Sequence, residues 1–129
     1  MTGLEILFML NTVQLGLPDS LLSSVCYVET HHNVAAIHKA DGHGDSIGIC
    51  QIKLKTARQL GFKGSAYDLQ DPKVNIYYAG LYLKHQIARY RGSVKRAVIA
   101  YNFGSAKSFT SSKYQVKVFK VWRGKQYEF

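Results

Sequence analysis

Leu21-Leu22-Ser23-Ser24-Val25-Cys26-Tyr27-Val28-Glu29-Thr30 is the stretch on which the reading of this chain turns. Leu21, Leu22, Val25, Cys26 and Val28 recur at helical spacing. Glu29 follows Leu22 by seven residues, Val25 by four and Cys26 by three, which puts its carboxylate on the apolar face of the same helix. A carboxylate facing a core loses hydration, and its charged form becomes costly. The spacing therefore predicts a raised pKa and a proton held near neutral pH, the property a general acid needs. The alternative is a Glu at the edge of the stripe, paired with a Lys or Arg.

Outward from this segment the pattern is mostly helical. Pro18 is expected to open the Glu29 helix with Asp19 in its first turn, and the helix should end between His31 and Asn33. Upstream, Thr2-Gly3-Leu4-Glu5 has the form of a capping box, with Gly16 as the stop. Downstream, residues 38 to 48 are polar and glycine-rich and read as a loop or small hairpin. A short helix is expected from Lys53 to Leu60. Another starts at Asp71-Pro72, with Val74, Tyr77, Tyr78, Leu81 and Ile87 on its apolar face, and a third is capped by Ser93 and stops near Gly104. Tyr114 to Val121 alternates basic and apolar residues and fits strand or helix. No repeat, linker or low-complexity run interrupts the chain. The pattern predicts one α-rich domain over residues 1–129 with at most a small sheet or hairpin.

The 129 residues are enough for one core. With 47% apolar and 19% charged residues, the balance is globular and excludes a disordered chain. There are 17 Lys and Arg against eight Asp and Glu, a formal charge of +9, which implies an anionic partner or surface. Cys26 and Cys50 do not make a disulfide framework. They read more readily as two small buried hydrophobes, and their pairing stays open. The run Leu4 to Leu10 lacks a preceding basic residue and is interrupted by Glu5, so it reads as a helix of the domain, neither a signal peptide nor a membrane span.

The other acids have ordinary structural reasons to be where they are. Glu5 and Glu128 lie near the termini, and Asp19 and Asp71 sit at helix starts. Asp68 lies in a polar turn, and Asp41 and Asp45 fall in the glycine-rich loop. Two further fragments carry polar groups beside glycine. Ser46-Ile47-Gly48-Ile49-Cys50-Gln51 offers close backbone approach at Gly48 and an amide at Gln51. Ala100-Tyr101-Asn102-Phe103-Gly104 ends a helix with a phenol and an amide.

In this order the pieces resemble the soluble lytic transglycosylase domain of the lysozyme superfamily. The resemblance spans Leu17 to Gly104. It is carried by Leu17-Pro18, Glu29-Thr30, Ser46-x-Gly48-Ile49-x-Gln51-Ile52 and Thr56-Ala57. It continues through Asp68-Leu69-x-Asp71-Pro72-x-x-Asn75-Ile76, Gly80-x-Tyr82-Leu83 and Ala100-Tyr101-Asn102-x-Gly104. It implies a mainly α lysozyme-like fold with a glycan cleft. It also implies cleavage between N-acetylmuramic acid and N-acetylglucosamine, with the C6 hydroxyl of muramic acid displacing the leaving sugar to give an anhydro end. By the same resemblance Glu29 is the catalytic residue, and Ser46, Gln51, Tyr101 and Asn102 bind substrate. Thr30, His38, Gly48 and Tyr82 are further candidates. The acid census agrees, because ordinary glycosidases use two carboxylates and only one acid here sits on a core face. The chain departs from the family with Thr30 in place of Ser, Cys50 where Met is frequent, Phe103 where Ala is common, and a long charged loop from Asn33 to Asp45.

Other readings are weaker. His31, His32, His38 and His43 lie near Asp41 and Asp45, but no ligand motif orders them, so neither a metal nor a cofactor is expected. Lys113, Lys117, Lys120, Arg123 and Lys125 interleave with Tyr114, Phe119 and Trp122, a pattern that suits nucleic acid or an anionic wall. The expected partners are peptidoglycan glycan strands and the anionic cell-wall surface, without nucleic acid. A non-cleaving glycan binder is disfavoured by intact Glu29 and Tyr101. Hydrolysis on the same scaffold stays open, with Asp41 or Asp45 to position a water. The expected site of action is the cell wall, periplasmic or extracellular. The bare domain without a visible signal peptide looks like a phage-encoded or virion-borne enzyme.

Overall fold

The computed structural model describes residues 1–40, 44–106 and 110–124. Among these described residues seven helices and one small sheet follow in chain order: α1 (Gly3–Leu15), α2 (Leu21–Thr30), β1 (Ile37–His38), β2 (Ser46–Ile47), β3 (Ile52–Lys53), α3 (Leu54–Gln59), α4 (Ala66–Leu69), α5 (Pro72–Arg89), α6 (Val94–Phe103) and α7 (Lys113–Gly124). This is the mainly α architecture that the helical patterning predicts, and the lysozyme-like domain that the resemblance implies.

Local chemistry sets most helix ends. Thr2 and Glu5 form the capping box of α1: the Glu5 amide donates to the Thr2 hydroxyl, and the Thr2 amide donates to the Glu5 carboxylate. Asp71 caps α5 with Pro72 in its first turn, and the Ser93 hydroxyl caps α6. Ser65 and Asp68 form a second capping box and start the four-residue α4, so Asp68 belongs to a helix that the sequence pattern did not announce.

Two expectations are corrected. Pro18 does not open α2. Leu21 N–H closes a turn on Pro18 O at 3.2 Å, Ser20 takes a left-handed φ of 62°, and the helix begins only at Leu21. Ser20 O then accepts the Ser23 and Ser24 hydroxyls, which ties the cap to the first turn. The face of α5 is also rotated from the expected one. Asn75, Ile76, Ala79, Gly80, Leu83 and Gln86 are buried, while Tyr77 is exposed and Val74, Tyr78 and Leu81 are only partly covered. The cause is close packing. A Cβ at Gly80 would lie 2.7 Å from Leu15 Cδ1, so the glycine lets α5 press against α1, and α5 also packs on α6.

The main core gathers Leu21, Leu22, Val25 and Cys26 of α2 with Ile76, Ala79 and Leu83 of α5, Val98 of α6 and Val118 of α7. Burying each large side chain is worth roughly 1.5–3 kcal/mol. The Tyr114–Val121 segment resolves as helix. Its Tyr114, Phe119 and Trp122 rings lean on this core, and Trp122 Nε1 donates to Asp19 O at 2.7 Å. A smaller cluster of Ile47, Ile52, Ala57, Phe62 and Leu69 lies under the sheet. The sheet is antiparallel in the order β1-β2-β3, with Ser46 opposite both His38 and Lys53.

Cys26 and Cys50 are bonded to each other, which overturns their reading as two free buried thiols. Helix α2 and the β2–β3 turn place the two buried side chains together, a proximity that spacing along the chain does not reveal. Closing a loop of 24 residues contributes about 3 kcal/mol.

Candidate active site

Helix α2 delivers Glu29 to one wall of a cleft of about 220 Å³. The turn between β2 and β3 supplies Gln51, with Ser46 at its start, and the end of α6 supplies Tyr101 and Asn102. Tyr82 from α5 completes the set, its ring 5.2 Å from that of Tyr101. Five residues expected from the sequence, Glu29, Ser46, Gln51, Tyr101 and Asn102, thus line one cleft together with Tyr82.

Burial dominates the electrostatics. It raises the Glu29 carboxyl from 4.5 to about 7, opposed by a hydrogen bond from Tyr114. The Tyr114 phenol donates to Glu29 Oε2 at 2.6 Å. Both Tyr114 and Tyr101 are pushed well above 10, chiefly by burial and then by the nearby Glu29 charge, so each remains a neutral donor. Among the described residues Glu29 is the only carboxylate lining the cleft.

The β2–β3 turn is held from several sides. Gly48 takes φ 79°, and a Cβ there would collide with the Asn75 amide. The buried Asn75 Nδ2 donates to Ile47 O and Leu69 O, each at 2.8 Å, and its Oδ1 accepts the Cys50 amide at 2.9 Å. The Tyr101 hydroxyl donates to Cys50 O at 2.7 Å. Gln51, with φ 55°, donates from Nε2 to Gly48 O and Ala36 O, which leaves its amide oxygen as the acceptor.

Three further candidates lie outside the cleft wall. The Thr30 hydroxyl donates to Ile49 O at 2.7 Å and anchors the turn to the end of α2. Gly48 acts through the Asn75 contact. His38 is exposed on β1. His43 and Asp41 lie outside the described residues, as do Lys125 and Glu128. Among the described residues no three His, Cys, Asp or Glu side chains come together. Asp45 sits 3.8 Å from Lys39 and does not line the cleft.

Sequence reasoning missed Tyr114 and Asn75 as site-building residues, and Lys53, Thr56 and Phe103 as lining ones. A buried Asn inside an otherwise apolar helical face was the available sign for Asn75. Nothing along the chain links Tyr114 to a residue 85 positions away.

Among the described residues the cleft thus presents one carboxyl group, raised to about 7, among polar and aromatic side chains. The family model for the transglycosylase SLT domain matches residues 7–119, and the chain belongs to that family, within the lysozyme-like superfamily. Transglycosylase-type cleavage of peptidoglycan is the activity at the level of the family.

Proposed function

We propose that this protein is a peptidoglycan lytic transglycosylase whose 129 residues form one catalytic domain with Glu29 as its only acid and base. The observation that carries this is the lone carboxyl group among the described residues of the cleft, raised to about 7 by burial. Tyr114 holds one carboxyl oxygen, Oε2, which leaves the other to act on the scissile bond. Glu29 gives its proton to the glycosidic oxygen as the bond from muramic acid C1 breaks. The acetamido group shares the positive charge at C1. Glu29, now a carboxylate, takes the proton of the C6 hydroxyl as O6 bonds to C1, which closes the anhydro ring and restores the acid. Gln51 accepts from the acetamido N–H through its amide oxygen, and Ser46 and Asn102 bind along the same wall. Phe103, 55% exposed at the rim, offers a ring face to a sugar.

The site of action is the cell wall, on the periplasmic or extracellular side. The Cys26–Cys50 bridge supports an oxidising setting, and no described helix is long and apolar enough to cross a membrane. Lys113, Lys117, Lys120 and Arg123 are exposed on α7 while its aromatic rings face inward. That arrangement suits an anionic wall polymer better than base stacking.

Digestion of purified peptidoglycan followed by mass spectrometry tests the reading. Anhydro-muramic ends are expected. Reducing ends would mean hydrolysis on the same scaffold, and no soluble product would overturn the assignment.

A further inference from the structure

Cys50 is tethered to three different helices. Its amide is held by Asn75 of α5, its carbonyl by Tyr101 of α6, and its sulfur by Cys26 of α2. Cys26 lies three residues before Glu29 on α2, and Cys50 immediately precedes Gln51. The bridge is thus the one covalent tie, besides the chain itself, between the helix that carries the acid and the turn that forms the facing wall. The hydrogen bond from Thr30 to Ile49 runs in parallel with it, while Tyr101 and Asn75 tie the same turn to α6 and α5.

We infer that the Cys26–Cys50 disulfide is a positioning element of the catalytic cleft, which sets Gln51 and the Tyr101 anchor relative to Glu29, so that the dithiol form is folded but slow. Reduction passes two electrons and two protons from a dithiol such as dithiothreitol to the two sulfurs. The S–S bond breaks, two S–H bonds form, and the reductant closes to its own cyclic disulfide. Both sulfurs are buried, so this exchange requires the turn to open first. An enzyme built this way gains full activity only where disulfides persist, outside a reducing cytoplasm.

The inference rests on Glu29 being the acid of the reaction, and its test has one arm that does not depend on turnover. Protein refolded with dithiothreitol, air-oxidised protein and the Cys26→Ala/Cys50→Ala variant are compared on solubilised glycan strands, with helical circular dichroism recorded for each. The reduced and variant forms should keep their helical signal and lose about tenfold in kcat with little change in KM, since misplacement penalises the transition state more than binding. Their rates should fall off at lower pH, because a looser wall admits water to Glu29. Reoxidation should rescue the reduced form and leave the variant unchanged. Independently, amide exchange at Cys50 and Gln51 should quicken at least tenfold on reduction while the core of α5 stays protected. Equal rates and equal exchange in both redox forms would overturn the inference, as would loss of activity that only tracks loss of helical signal. If oxidised protein releases no product, the proposed function fails, and the exchange data still decide whether the bridge positions the turn.

Discussion

Tyr114 on α7 and Glu29 on α2 meet through a 2.6 Å hydrogen bond that spans 85 positions of sequence. The phenol is buried and stays protonated, so it donates, and one carboxyl oxygen, Oε2, accepts. The bond favours the ionised carboxyl group while burial favours the neutral one, and burial wins, leaving the acid at about 7. The residue thereby limits how far the acid is raised and holds one of its two oxygens, leaving the other open.

Removing the phenol should separate these two effects. Tyr114→Phe deletes the bond that lowers the Glu29 pKa, so the alkaline limb of the rate profile should move upward. Loss of orientation by a charge-assisted bond should lower kcat by about tenfold or more at the optimum. A pH series of kcat and KM on soluble glycan strands reads both.

Glu29 also weakens the fold as pH rises. Its folded pKa of about 7 lies above the ordinary 4.5, so between those values the folded state holds more protons than the unfolded one. Stability therefore falls as pH climbs through that window and levels off above it, by about 3 kcal/mol in all. Glu29→Gln should abolish this slope. Paired urea titrations should show the variant gaining on the parent from pH 5 to pH 8, with histidine contributions cancelling in the difference.

Gly48→Ala should be among the most destabilising single changes in the molecule. It places a methyl group against the Asn75 amide at a positive φ and displaces the donors to Ile47 O and Leu69 O. We expect a loss of about 3 kcal/mol or more from backbone strain plus unsatisfied buried carbonyls. Denaturant unfolding measures it, and a loss below about 1 kcal/mol would contradict the role given to this contact.

Phe103→Ala should act mainly on binding. The ring, 55% exposed, lines the cleft, so KM should rise by about fivefold with a smaller change in kcat.

What was legible in the sequence is what local chemistry decides. The seven-, four- and three-residue spacing of Glu29 from Leu22, Val25 and Cys26 put it on the buried face, and the caps at Thr2, Asp71 and Ser93 fixed helix starts. Pro18 misled because a left-handed Ser20 delays the helix by a turn, and side chains on α2 stabilise that conformation only once it forms. The face of α5 was misjudged because Val74 and Tyr77 are apolar by composition, whereas Gly80 and Asn75 are buried by close approach and hydrogen bonding. The Cys26–Cys50 bond, the Asn75 network and the Tyr114 phenol are tertiary meetings that no spacing rule encodes.

Burial in the cleft raises the Glu29 carboxyl to about 7, so a large share of it holds a proton at neutral pH. Carbon-13 NMR titration of the Glu29 carboxyl carbon, assigned by comparison with Glu29→Gln, reads it directly. The account predicts a midpoint close to the raised value of about 7. A midpoint near 4.5, the ordinary value for a Glu in water, would contradict it.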